Sequence, residues 1–265
     1  MRNKIKKIAI VGCGHIGEQI LSRLKREADF RFCSFAITRR NKKKGETIAK
    51  KYKVKYSKEN FRAVEEVNIV WLCVGPDQIA KVIQQITPTL KKNCIVFSVA
   101  VAISQKYIAT LLPKQVVIRY MPSPLFKISK GVALISGPSN AEFEYWKKIL
   151  KGWSSDLIAV KASCSSAFYA AIFNHLLLCA QRIRSGLTDE KLKTILSLVG
   201  ADTFTYLQDK NIKEVQKLIK NAATPGGMTE AGLKILNSPE VGAMFEQTIS
   251  KTVSRSKTLQ KSYEK

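Results

Sequence analysis

The tightest constraint on this chain is a glycine triplet. Gly12-x-Gly14-x-x-Gly17 follows directly on the apolar run Ile8-Ala9-Ile10-Val11 and opens a segment with Ile16, Ile20, Leu21 and Leu24 at helical spacing. An apolar strand, a tight turn and an amphipathic helix, in that order, begin a βαβ unit. Gly12 permits the turn, Gly14 lets backbone approach a pyrophosphate, and Gly17 lets the helix pack on the strand. The loop therefore points to a dinucleotide site. His15 and Ile16 lie inside it and count with the cofactor-binding residues by position, the histidine side chain having no necessary part.

Up to about residue 160, short apolar runs alternate with helical periods, as expected for helices packed on a parallel sheet. Strands are expected at Ile8 to Val11, Phe32 to Ile37, Asn68 to Val74, Cys94 to Val99, Val116 to Tyr120 and Val132 to Ile135. A helix from Asp77 to Ile86 follows the third-strand turn. The predicted fold is α/β, a Rossmann-type doubly wound sheet over residues 1–160, with ligands at the carboxyl ends of its strands. Over 161–265 long helical patterns replace the strands, so an all-α domain is expected there. Its stretch from Ala162 to Ile183 is apolar nearly all round and reads as buried, within the domain or against a second subunit. Val241, Phe245, Ile249 and Val253 form a later stripe, and the polar stretch from Ser254 to Lys265 is expected to fray.

Charge sets the next limits. The chain has 45 Lys and Arg against 20 Asp and Glu, a formal charge of +25. These cations are dispersed, and no aromatic-interleaved basic motif accompanies them, so specific nucleic-acid binding is not expected. Six cysteines at 13, 33, 73, 94, 164 and 179 form no C-x-x-C pair and have no histidine at metal-ligand spacing. Reduced, buried thiols and no metal are the reading. Lys4, Lys6 and Lys7 before the first apolar run imitate a signal peptide, but the run breaks at Gly12. No segment approaches the ~18 apolar residues of a membrane span. A soluble cytoplasmic protein is expected.

Two segments speak to ligand chemistry. After the second strand the chain reads Thr38-Arg39-Arg40 where a carboxylate would hold the ribose 2′-hydroxyl of NAD. Two guanidinium groups and a hydroxyl suit a 2′-phosphate, so NADP(H) is favoured, with NAD(H) the alternative. Near the other end, Thr224-Pro225-Gly226-Gly227-Met228-Thr229 opens an amphipathic run. Its backbone N–H groups and the helix dipole would cradle a carboxylate.

With these motifs in place the chain resembles the pyrroline-5-carboxylate reductases, which reduce a cyclic imine to proline with NAD(P)H. The resemblance runs through nearly the whole length. It includes the glycine loop, the arginine after the second strand, Asn60 in Ser57-Lys58-Glu59-Asn60, and Val74-Gly75-Pro76. Further on come Ser98-Val99-Ala100-Val101-Ala102-Ile103 and Arg119-Tyr120-Met121-Pro122, and above all Thr224 to Thr229. It implies cofactor contacts from Asn60, Val74, Pro76, Ala100 and Met121. It also implies a substrate site of Thr224, Gly226, Gly227, Met228 and Ser165, with Thr229 hydrogen-bonding the imine nitrogen. Interlocked homodimers, or larger rings of dimers, follow from it as well. Hydride transfer to a C=N bond demands positioning and polarisation rather than a strong acid, and a threonine hydroxyl suffices for the latter.

The chain departs from the family pattern in three places. Ala162-Ser163-Cys164-Ser165-Ser166-Ala167 replaces Ser-Gly-Ser-Gly-Pro-Ala, Ser123-Pro124 shortens Asn-Thr-Pro, and Gly75 replaces a lysine. Losing both glycines reshapes the substrate side. The alternatives are a paralogue that reduces a different imino or oxo acid, or a non-catalytic NADP-binding regulatory protein. His175 reads as a core or interface residue.

Overall fold

The structure, a computed structural model, describes residues 7–122, 132–153, 156–159, 213–214, 216–217, 230–231, 234–235 and 238–264. It divides into two compact units, Met1–Ser166 with Arg255–Lys265, and Ala167–Ser254.

The first unit is built on strands β1 (Lys7–Val11), β2 (Ser34–Thr38), β3 (Lys55–Ser57), β4 (Ile69–Leu72), β5 (Ile95–Ser98), β6 (Val116–Met121), β7 (Val132–Ser136) and β8 (Asp156–Ala159). They form one sheet in the order β3-β2-β1-β4-β5-β6-β7-β8. Every pairing is parallel except β6 with β7. Helices α1 (His15–Arg26), α2 (Lys42–Tyr52), α3 (Asn60–Ala63), α4 (Ile79–Ile86), α5 (Gln105–Leu111) and α6 (Ala141–Lys151) follow in chain order, and α7 (Pro239–Tyr263) closes the described chain. The strand order reverses between β1 and β4, so their carboxyl ends diverge into a crevice.

The apolar runs are continuous because both faces of the sheet are covered. Side chains alternate between two cores: Ile8, Ile10, Trp71 and Phe97 enter one, and Ala9, Val11, Val70, Leu72 and Val96 the other. The expected stripe on α1 buries Ile20, Leu21 and Leu24 in the first core, with Ile16 packed at its edge. Ile79, Val82, Ile83 and Ile86 of α4 enter the second. An aromatic group fills the first core, with Trp71 stacked on Phe97 at 4.2 Å and on Trp153 at 5.9 Å.

Several expectations change. β2 begins at Ser34, because a 3₁₀ turn at Ala28–Phe30, with Cys33 N–H donating to Phe30 O, leaves Phe32 outside the strand and 89% exposed. β3 is three residues of mixed polarity at the sheet edge, too short to leave a period. β8 was also unforeseen. The helix expected from Asp77 opens as a 3₁₀ turn at Pro76–Gln78, and α4 proper starts at Ile79. The polar stretch after Ser254 is not frayed. It continues α7 to Tyr263, and Ser104 N–H donates to Glu264 Oε1 at 2.5 Å. By its contacts the segment Arg255–Lys265 groups with the first unit. The apolar stretch from 162 to 183 lies outside the described residues. Among the described residues no helix is long and apolar enough to cross a membrane.

Truncating Trp71 removes a fully buried ring between two aromatic neighbours. Trp71→Ala should cost about 3–5 kcal/mol of stability, read as a lowered urea midpoint by far-UV circular dichroism; a loss under about 1 kcal/mol would mean the core repacks.

Candidate functional site

The glycine loop leaves β1 with Gly12 at φ 81°, a left-handed backbone that favours glycine. A Cβ there would overlap the Val74 Cγ1 methyl, whereas one on Gly14 would meet nothing closer than Gly12 O at 3.9 Å. The chain thus packs tightly beneath the loop and leaves it open above. A Cβ on Gly17 would lie 3.2 Å from both Gly12 O and Ile10 Cγ2, which keeps α1 close against β1. Gly14 has no side chain to cap α1, and its first-turn N–H groups and dipole favour an anion.

One polar chain holds this loop from below. Gly12 N–H donates to Thr38 Oγ1 at 3.1 Å, and Thr38 donates onward to Asn60 Oδ1 at 2.7 Å. Asn60 Nδ2 in turn donates to Gln85 Oε1 at 2.8 Å. A second strut is Arg39 Nη1, which donates to Cys13 O at 2.9 Å, while Cys13 N–H donates to Thr38 O at 2.7 Å. Tyr56 Oη donates to Arg39 O at 3.1 Å. The end of β2, the glycine loop, α3 and α4 are thereby tied into one frame.

Over that frame lies an open cleft of about 510 Å³. Gly12, Gly14, Thr38, Arg39, Arg40, Asn60 and Val74 of the sequence-selected residues line it. Lys58, Lys81, Gln78 and Gln85 line it too and were missed, although Gln78, Lys81 and Gln85 stand at the spacing of one helical face. Among the described residues, four cations line the cleft and no carboxylate does. Such a wall suits a dianionic phosphate in addition to the pyrophosphate.

Thr38 is a correction to the sequence reading. It is only 2% exposed and its hydroxyl both accepts from Gly12 and donates to Asn60, so it braces the glycine loop rather than reaching a 2′-phosphate. His15, Ile16, Gly17, Pro76, Ala100 and Met121 lie outside the cleft lining. Of these, His15 is exposed, with Nε2 2.7 Å from Gln19 Nε2, and Gly17 acts through helix packing. Ala100 and Met121 stand at the ends of β5 and β6, where Arg119 Nη2 donates to Ala100 O at 3.1 Å and lies 3.7 Å from Met121 Sδ. Ser165, Thr224, Gly226, Gly227, Met228 and Thr229 lie outside the described residues.

The thiols around the loop carry no nucleophile. Burial, reinforced by Glu18 and opposed by Arg39, pushes Cys13 up to about 12, and burial raises Cys73 as well. Both stay protonated at neutral pH.

Comparison with known proteins fits this geometry. Residues 7–102 match the family described as NADP oxidoreductase coenzyme F420-dependent, and residues 155–259 match pyrroline-5-carboxylate reductase dimerisation. A pyrroline-5-carboxylate reductase of Corynebacterium melassecola is 28% identical, covering 96% of this chain and 98% of its own. The fold is that of the 1-pyrroline-5-carboxylate reductase of Streptococcus pyogenes, with a TM-score of 0.79 at 19% identity over 95% of this chain and 98% of that one. The Plasmodium falciparum pyrroline carboxylate reductase with NADP bound gives 0.78 at 17% identity over 97% and 98%. Fold and cleft together define an NADP-dependent oxidoreductase of the Rossmann type. Within that class, the chain is similar over nearly its whole length to pyrroline-5-carboxylate reductases.

Because Thr38 braces a loop used by any dinucleotide, Thr38→Val should weaken NADPH and NADH alike. The expected loss is roughly tenfold, from two polar partners left without their bridge. Fluorescence titration of each cofactor checks this; a loss confined to NADPH would return Thr38 to the phosphate site.

Proposed function

We propose that this protein is an NADPH-dependent reductase of a cyclic imine, with pyrroline-5-carboxylate reduced to proline as the leading reaction. The observation that carries the proposal is the Thr224 to Thr229 motif, standing inside the region that matches the dimerisation domain of that family. The cation-lined cleft supports NADP(H) over NAD(H). When bound, the reduced dinucleotide supplies the hydride.

The chain's own residues have three tasks. Gly12, Gly14 and the first turn of α1 hold the pyrophosphate, and Arg39 and Arg40 hold the 2′-phosphate. Gly226, Gly227 and the Met228 backbone, with Thr224, hold the substrate carboxylate beside Ser165. The Thr229 hydroxyl orients the imine nitrogen and relays its proton without carrying charge. The match at 155–259 supports a homodimer.

A second reading rests on the segment Ala162 to Ala167, where side chains stand in place of the family's glycines. A smaller or differently shaped pocket would favour another imino or oxo acid. Retention of Thr229 and both preceding glycines argues against a purely regulatory protein.

NADPH oxidation on adding pyrroline-5-carboxylate, followed by absorbance with NADH in parallel, tests the main reading. Rapid oxidation is expected; NADPH binding without turnover would assign the pocket to another substrate. Thr229→Ala should lower kcat about a hundredfold while cofactor affinity holds, and an unchanged rate would remove Thr229 from the mechanism. Replacing Arg39 and Arg40 by Ala should weaken NADPH at least tenfold more than NADH. Equal weakening would sink the 2′-phosphate assignment.

A further inference from the structure

The loop from β5 to α5 is held by a residue that follows the last helix. It runs from the carboxyl end of β5, where this fold places ligand contacts, and it carries Ala100. Within it Ala102 adopts φ 54°, a left-handed conformation that a residue with a Cβ keeps only when its surroundings impose it. Two hydrogen bonds bracket that residue. Arg119 Nη2 donates to Ala100 O at 3.1 Å on one side, and Ser104 N–H donates to Glu264 Oε1 at 2.5 Å on the other.

Glu264 is itself oriented. Gln260, one turn earlier, donates through Nε2 to Glu264 Oε2 at 3.1 Å. Tyr263 packs against the core cluster that contains Ala100, Ile103 and Ile108, which fixes the end of α7 on the same loop. Arg119 is only 4% exposed. Its burial pushes the guanidinium down to about 10, and the negative charge of Glu264 opposes that fall. The carboxylate thus serves the loop twice, as acceptor for Ser104 N–H and as counter-charge for the buried arginine that grips Ala100. The Ser104 hydroxyl separately caps α5, accepting from Tyr107 N–H at 3.0 Å.

We propose that Glu264 is a positioning residue that sets the loop at 99–104 against the nicotinamide half of the bound dinucleotide. The proposal rests on the reading of the protein as an NADPH enzyme and of Ala100 as a cofactor contact. It separates the two halves of the cofactor: the glycine loop and Arg39 serve the adenosine half, and Glu264 serves the other through Arg119 and Ser104.

The test compares NADPH with adenosine 2′,5′-bisphosphate, which lacks the nicotinamide, by calorimetric titration of wild type, Glu264→Ala and Glu264→Gln. In Glu264→Ala, NADPH should bind about fivefold to tenfold more weakly while the bisphosphate stays within about twofold of wild type, as expected for the loss of one charge-assisted bond. Glu264→Gln restores an acceptor for Ser104 N–H and should recover part of the loss, and it carries the same comparison if the alanine variant does not fold. Unchanged NADPH affinity would overturn the proposal, as would equal weakening of both ligands, which marks a general structural role, or no recovery in Glu264→Gln. Wild-type protein that binds neither ligand would instead overturn the cofactor reading itself.

Discussion

β1 lies inside a parallel sheet and must be covered on both faces. Ile8 and Ile10 enter one core while Ala9 and Val11 enter the other, all fully buried. That double burial fixes the height at which the strand ends, and so places Gly12 beside Val74 at the point where β1 and β4 part. The helix that follows has no freedom either, because Gly17 brings its backbone against Ile10 and its Ile20, Leu21 and Leu24 complete the first core. The cofactor cleft is therefore a consequence of packing: the glycine loop is where a strand without exposed faces meets a helix that must cover it.

On that base a short polar chain does the positioning. The Thr38 hydroxyl is the hinge of it, joining Gly12 on one side to Asn60 and Gln85 on the other. Buried polar groups of this kind are stabilising only while every partner is satisfied. The same logic recurs at the far side of the strand ends, where Arg119 is buried against Ala100 O with the charge of Glu264 nearby. Both halves of the carboxyl edge are thus held by side chains beneath the backbone, which leaves the backbone itself to face a ligand.

The large positive charge finds a local use here. Arg39, Arg40, Lys58 and Lys81 line the cleft, and among the described residues no carboxylate shares its wall, so their charges add in attracting phosphate. Other cations lie in ordinary exposed pairs, such as Lys42 with Glu46 and Lys51 with Glu18, which contribute little to stability.

By itself the sequence determined the nucleotide half of the fold: β1, the glycine loop and α1, the two-faced apolar strands β4 and β5, and the absence of a carboxylate after β2. Each of these is written in a contiguous stretch as a period, a glycine spacing or a charge, and so survives without knowledge of the fold. Tertiary structure alone decided that Thr38 faces inward to Gly12 instead of outward to a phosphate, that Lys81 and Gln85 join the cleft, and that Phe32 lies outside its strand. It also decided that Ser104 meets Glu264, 160 positions away. No local pattern records such meetings, because a threonine hydroxyl or a glutamate carboxylate reads the same in the chain whether it points to solvent or closes a hydrogen bond with a distant segment. Only the packing of the cores selects between those outcomes.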